Sequence, residues 1–326
     1  MSFTLLLLAL LAQSAAPPPA QPAPYVPERV FDTRRGVFAD FEVMLADIAG
    51  ADVIFVGEQH DDPNTHRLEH AILEGLRSRA VPVTLSFEMF ERDVQPKMDQ
   101  YLTGAITESE FLAGTRPWPR YATDYRPLVE MARSLGWPVV AANVPRRYAS
   151  DVAKTGRASL DRLPSDERAF AARELQCPQD AYFKRFAAAM NEHSGTKPDK
   201  PAESAPAQAA AQPASDGQAT ERYYWSQCVK DETMAESITA AVERRGAQKG
   251  TIVHFNGAFH SDFGTGAAER TRRRLTGRRV AVVTILPIAN IDTATPSQDD
   301  LKRADYLVYT VKVPGTNPQV PPSKER

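Results

Sequence analysis

Two short segments of this chain repeat one pattern, Gly-x-x-His: Gly57-Glu58-Gln59-His60 and Gly257-Ala258-Phe259-His260. Each follows an apolar, β-rich run, and Glu88 closes another such run. Histidine can ligate a metal or pass protons near neutral pH. A carboxylate can ligate, act as a base, or orient an imidazole through its second nitrogen. Glu58, His60, Glu88 and His260 could therefore hold one divalent ion or carry out acid–base hydrolysis. The plainer alternative is that they end strands and satisfy backbone groups. Gly57 and Gly257 are expected to permit a sharp turn and close backbone approach, so that the following side chains face a common crevice. As crevice groups, both histidines should be replaceable for less than about 1 kcal/mol of stability.

The other histidines read more simply. His254 lies inside a strand-like run and is expected in the core. His66 and His70 are one helical turn apart, and Arg67, not a glutamate, follows the first in the place of a catalytic base, so they are expected at the surface or behind the site. His193 receives no role. A second cluster is Trp118-Pro119-Arg120-Tyr121 followed by Tyr125-Arg126-Pro127, with Arg146 and Arg147 just after Asn143. Aromatic faces beside guanidinium groups suit a flat, dianionic ligand such as haem, with apolar walls for the ring and charge-assisted bonds for the propionates. An aromatic anchor with snorkelling arginines would look the same.

Such residues need a scaffold that brings distant segments to one edge. Six apolar runs supply it: 52–56, 83–87, 138–142, 251–255, 280–286 and 306–311. Most are continuous rather than alternating, as in strands buried on both faces. Helical spacing lies between them, with Leu68, Ile72, Leu73 and Leu76 in 66–80, Leu128, Val129, Met131 and Ala132 in 125–135, and Ile238, Ala241 and Val242 in 234–245. The alternation predicts an α/β fold, a mainly parallel sheet flanked by helices on both faces. Ligands then bind beyond the carboxyl ends of the strands. Both Gly-x-x-His motifs, Glu88 and Asn143 fall there.

Around this core, residues 1–14 have the apolar run and small-residue exit of a signal peptide. Residues 15–28 read as a Pro/Ala-rich tether, and the domain as 29–312. Residues 194–220, almost without large apolar side chains, read as a disordered insertion, and 313–326 as a flexible tail. No run is long enough for a transmembrane anchor. Cys177 and Cys228 flank the insertion, and in an exported chain they suggest a disulfide; two cysteines are too few for a Cys-only metal site. With 39 Lys+Arg against 41 Asp+Glu, the net charge of −2 gives no reason to expect nucleic acid. Arg272-Arg273-Arg274 and Arg278-Arg279 read as a solvated helix end.

Several stretches resemble the ChaN-like haem-binding family: DVIFVGEQHD (52–61), Glu88-Met89-Phe90, Tyr125-Arg126-Pro127-Leu128, AANVPR (141–146), QCVKDETMA (227–235) and NGAFH (256–260). The likeness runs from about residue 30 to 290, and the family is similar in turn to the Tiki, TraB and erythromycin esterase-like group. It implies Gly57, Glu58, His60, Glu88, Gly257 and His260 as the shared site, and haem binding at the cell envelope linked to iron acquisition. His60, His260, Tyr121, Tyr125, Arg146 and Arg147 are the implied haem contacts, with Tyr125, then Tyr121, then His60 as axial ligand. A homodimer with haem at its interface is also implied. The rivals are a metallohydrolase or metal-free hydrolase of the wider group, and an envelope interaction protein with a vestigial site.

Overall fold

The computed structural model describes residues 25–194 and 216–313. The signal-peptide stretch, most of the tether, the bulk of the insertion and nearly all of the tail lie outside them. One eight-stranded sheet organises the chain: β1 (Glu28–Asp32), β2 (Val37–Ala39), β3 (Val53–Glu58), β4 (Val83–Glu91), β5 (Val139–Asn143), β6 (Thr251–Gly257), β7 (Val280–Ile288) and β8 (Tyr306–Val311). Their order across the sheet is β2-β1-β8-β7-β3-β6-β4-β5. From β8 to β5 all neighbours run parallel, whereas β1 pairs antiparallel with both β2 and β8.

The helices are α1 (Phe41–Ile48), α2 (Pro63–Ser78), α3 (Gln95–Leu102), α4 (Glu108–Thr115), α5 (Tyr121–Asp124), α6 (Arg126–Leu135), α7 (Arg146–Thr155), α8 (Ser165–Arg168), α9 (Ala181–Ser194), α10 (Asp216–Arg245) and α11 (Gly266–Arg274). Period-two alternation assigns them to the two faces. Ile54 and Val56 of β3 pack with the α1, α2 and α6 side chains Leu45, Ile72 and Leu128. Val53 and Phe55 pack with Met234 and Ile238 of α10 and Ala267 of α11. Because both faces are covered, the central strands are mostly apolar rather than alternating, which is why they were visible in sequence.

All six expected strands are present. The two additional ones form an edge hairpin, turned at Gly36 with φ +70°; β1 and β2 are short and partly exposed, so neither carries a long apolar run. The chain enters the sheet at Glu28, slightly before the expected domain start, and Val26 already packs on the core. Residues 216–220, expected in the insertion, are helical. They begin α10, which extends well before the expected Met234 and so carries Gln227 through Asp231 on the same helix.

Parallel register sets the site. β6 lies between β3 and β4, pairing Glu58 with Gly257 on one side and Phe87 with Phe255 on the other. A register shift between β4 and β5 follows Phe87. Within that irregular stretch Asn143 Nδ2 donates to the Glu88 carbonyl at 3.0 Å. At the start of α2, Asp62 Oδ1 accepts from the Thr65 N–H at 2.9 Å and Pro63 occupies the first turn, a strong N-terminal signal.

Cys177 and Cys228 are bonded, with S–S 2.04 Å, across a sequence separation of 51. The bond ties the segment before α9 to the middle of α10. In the chain-entropy picture a loop of this length is worth about 4 kcal/mol. Replacing both cysteines by serine should lower the chemical-denaturation stability by about that amount; an unchanged midpoint would show that the closed loop contributes nothing.

Candidate functional site

The two Gly-x-x-His motifs interlock. A Cβ on Gly57 would stand 3.1 Å from Cα of Ala258 and 3.2 Å from Oγ of Ser261. A Cβ on Gly257 would stand 2.5 Å from His60 Nε2. Each glycine thus makes room for the opposite motif. The sharp turn expected at these glycines is absent: Gly257 has φ −53°, and Gly57 is not among the positive-φ residues. Close approach, not backbone conformation, requires glycine at both positions.

Around this contact lie two acid–histidine groups. On the α2–α6 side, His60 Nδ1 donates to Glu58 Oε1 at 2.6 Å. The same oxygen accepts from the Tyr125 hydroxyl at 2.7 Å. Burial alone would raise the Glu58 carboxyl, but the bonded His60 ring, with His66 nearby, holds it down at about 2. His60 is shifted upward in turn: burial opposes the shift and Glu58 outweighs it. Its side chain is 41% exposed, whereas Glu58 is enclosed.

On the α10 side, His260 lies between two carboxylates. Its Nδ1 donates to Asp231 Oδ1 at 2.6 Å, and its Nε2 lies 3.2 Å from Glu88 Oε1. Glu88 Oε2 accepts the Gly257 N–H at 2.8 Å. Asp231 Oδ2 accepts from the Tyr182 hydroxyl at 2.8 Å, and the Gln227 amide nitrogen sits 3.3 Å from each His260 ring nitrogen. Burial would lower the imidazole, but Glu88 and Asp231 outweigh it and raise His260 to about 10. Burial likewise opposes, and His260 causes, a shift of Glu88 well below the usual carboxylate range. His260 is therefore an imidazolium at neutral pH, with both nitrogens occupied.

The expected site residues thus converge at one sheet edge, but as two pairs meeting at Gly257. Among the described residues, Glu58, His60, Glu88 and His260 do not bring ligand atoms within 4.8 Å of one another around a single point. His254 is buried as expected; Ser86 Oγ lies 2.9 Å from its Nδ1, and burial lowers it to about 3.

The aromatic and basic cluster divides. Trp118 meets the His60 ring edge-on at 4.9 Å, and the Arg146 guanidinium lies 6.0 Å from the Trp118 ring. Arg146 has no hydrogen bond or ion pair to any described residue. Arg147 is committed to Asp93 at 3.0 Å and to the Tyr148 hydroxyl at 2.8 Å, so it is not free for a ligand. Arg120 braces the loop, pairing with Asp124 at 2.8 Å and donating to the His60 and Asp61 carbonyls. Tyr121 is buried against Phe90 and Phe111, and Tyr125 is 2% exposed with its hydroxyl donated to Glu58. Neither tyrosine presents an oxygen to the crevice, which reverses the expected order of axial candidates.

Two residues, Glu69 and Asp231, were missed. His66, expected at the surface or behind the site, takes the second place: it is buried, with Nδ1 2.9 Å from Glu69 Oε2 and Nε2 3.1 Å from the His60 carbonyl. Burial opposes its charged form, but Glu69, Glu58 and Asp124 raise it to about 10. Burial and the Glu58 charge push Glu69 well above the carboxylate range. A signal existed: Glu69 falls on the Ile72, Leu73, Leu76 stripe of α2, the buried phase. Asp231 lies within a quoted family segment, four residues from Gln227 and so on the same face of α10.

An open α/β sheet with polar groups from several strand ends at its carboxyl edge defines a ligand-binding protein of the parallel-sheet class. More narrowly, the chain belongs to the family described as haem-binding uptake, Tiki superfamily, ChaN, whose model matches residues 44–271. A solved structure of ChaN of Campylobacter jejuni, reported as cofacial haem binding, aligns with TM-score 0.61 at 15% identity, covering 87% of this chain and 96% of that one. A Bacillus cereus protein aligns more loosely, with TM-score 0.44 at 12% identity, covering 82% and 91%. No curated protein matches.

His260→Gln should cost about 3–5 kcal/mol, because it strands two buried carboxylates. His60→Ala should cost about 1 kcal/mol. The small cost expected from sequence for both histidines is therefore kept for His60 and raised for His260. A group raised in the folded state stabilises fully below its unfolded pKa, about 6.5, and loses that stabilisation as pH rises through the folded value. The part of the unfolding free energy due to His260 should therefore decline between about pH 6.5 and 10. Urea titrations across that range should show the decline in the parent and a flatter profile in His260→Gln; parallel profiles would refute the assignment.

Proposed function

We propose that this chain binds haem at the crevice mouth, where His60 would ligate the iron, Trp118 would pack against the porphyrin and Arg146 would pair with a propionate. The observation that carries the reading is the His60 ring. Its Nδ1 is committed to Glu58 at 2.6 Å, its Nε2 makes no hydrogen bond to a described residue, and 41% of the side chain is exposed. A carboxylate bonded to one imidazole nitrogen raises the basicity of the other and fixes its direction. The donor set fits haem: imidazole for iron, indole for the ring, an unpaired guanidinium for carboxylate. When bound, haem would supply an iron centre able to take an imidazole nitrogen.

A histidine base needs an uncharged imidazole near neutral pH, and His260, held between its two carboxylates, does not offer one, so in the hydrolase reading the base would be Glu58 or Glu88. We further propose that the protein works in haem or iron acquisition at the cell envelope; the Cys177–Cys228 bond supports an oxidising compartment. No helix among the described residues is long and apolar enough to cross a membrane. Two copies of the chain, each bringing a haem, are proposed; the Campylobacter relative is reported as binding haem cofacially.

Haemin titrated into the protein should give a shifted Soret band. His60→Ala should abolish the shift, and Arg146→Ala should weaken binding by about 1–3 kcal/mol. Gly257→Ala should impair binding like His60→Ala, by displacing the imidazole. A shift that survives His60→Ala but is lost in His70→Ala would move the haem to the cleft on the outer side of α2, which His70 lines. No shift in the parent would end the haem reading.

A further inference from the structure

Behind Glu58, on the side away from Glu88 and His260, three side chains from two elements converge. Glu58 comes from the end of β3, and His66 and Glu69 from one face of α2. One potential ligand atom from each lies within 4.8 Å of the other two. The three residues are 1%, 5% and 0% exposed respectively.

The hydrogen bonds around them do not close. Glu58 Oε2 and Glu69 Oε1 are buried and receive no donor from any described residue, although the two carboxyl groups are within bonding reach of each other. His66 Nε2 lies 3.1 Å from the His60 carbonyl, which can only accept, so that nitrogen carries a hydrogen. Its Nδ1 faces Glu69 Oε2 at 2.9 Å. A neutral ring of this tautomer would set a lone pair against a carboxylate oxygen while two further carboxyl oxygens face one another. In a dry interior that arrangement demands positive charge. Two protons would supply it, one on Nδ1 and one between the carboxyls. A single divalent ion would supply it equally.

We propose that Glu58, His66 and Glu69 form a site for a divalent first-row transition metal ion, with zinc the best match to the donors. One imidazole and two carboxylates favour a borderline ion over calcium or magnesium, which prefer oxygen alone, and no sulfur is present for copper(I). The supporting contacts are those of a built metal site. The second nitrogen of His66 donates to a backbone carbonyl, the arrangement that fixes a ligating imidazole. Glu58 is oriented through its other oxygen, Oε1, by Tyr125 and His60. Asp124 Oδ2, 3.4 Å from His66 Nε2, adds negative charge from α5. Access is available from the outer side, where His66 and Asp124 line a cleft of about 1100 Å³ that Phe41, Leu45 and Leu68 also border.

The proposal is independent of haem binding and is tested without haem. The oxidised full-length chain is stripped with chelator and dialysed against zinc, and in parallel titrated with cobalt(II) as a visible-absorption reporter. One ion per chain is expected, with cobalt bands in the visible. Glu69→Gln and His66→Gln should each weaken binding at least about tenfold, whereas Glu88→Gln should leave it unchanged. Glu69→Gln also separates a metal role from a structural one. The Gln amide can donate to Glu58 Oε2, so the metal-free variant should melt no lower than the parent even as it loses the ion. Failure of the parent to retain zinc or cobalt would overturn the proposal. Retention undiminished by Glu69→Gln and His66→Gln would do the same, as would loss confined to Glu88→Gln, which would put the ion in the crevice.

Discussion

Carboxylates withdrawn from water need compensating positive charge close by, because a lone buried anion costs several kcal/mol. At the carboxyl edge of this sheet Glu58, Glu88, Glu69 and Asp231 are all almost fully enclosed. The surrounding side chains and backbone are arranged to answer them. His260 serves Glu88 and Asp231 together, the Gly257 N–H reaches the second oxygen of Glu88, and His60 and Tyr125 share one oxygen of Glu58. Much of the local architecture serves this need. α10 continues far enough to deliver Asp231, α2 begins early enough to bury His66, and two glycines let strands and motifs close to contact distance.

The sheet was legible because parallel strands covered on both faces carry mostly apolar runs rather than alternation, as β3, β4 and β6 do before their polar carboxyl ends. β1 and β2 did not, since an edge hairpin of three to five residues per strand needs no continuous apolar run. The tetrad was legible as residue types at strand ends. Its division into two pairs was not, because the side of the sheet on which Glu58 and Glu88 emerge depends on pleat phase and on the register shift after Phe87. Tyr125 and Tyr121 were misjudged for a related reason. An aromatic beside arginines reads the same whether its hydroxyl faces a ligand or is donated inward, as Tyr125 donates to Glu58.

α10 joins features that looked separate in the sequence. Cys228, fixed to Cys177, lies one turn before Asp231. Glu232, next along, gathers Arg273 at 2.8 Å and Arg274 at 2.5 Å, with Arg270 at 3.3 Å. The basic run that suggested a solvated helix end is thus partly committed to a buried acid, leaving less free positive surface than its composition implied. Position along α10, not local chemistry, decides which of its acids serves the crevice and which ties down α11.

The place of β6 in the sheet has a consequence for synthesis. β3 and β4 are made early but are not neighbours, and the slot between them is filled by a strand that emerges more than 150 residues later. Until residues 251–260 arrive, His60 has no Gly257 to lie over, and Glu88 has neither its backbone donor nor its imidazolium. A chain released or threaded to another compartment only as far as α9 would carry β3 without either neighbour, β1 and β4 each lacking one, and an uncompensated Glu88. Sheet closure and completion of the pocket are therefore one event, which waits for residues 251–260. Truncated products should display no half-built ligand site, only aggregation-prone strands.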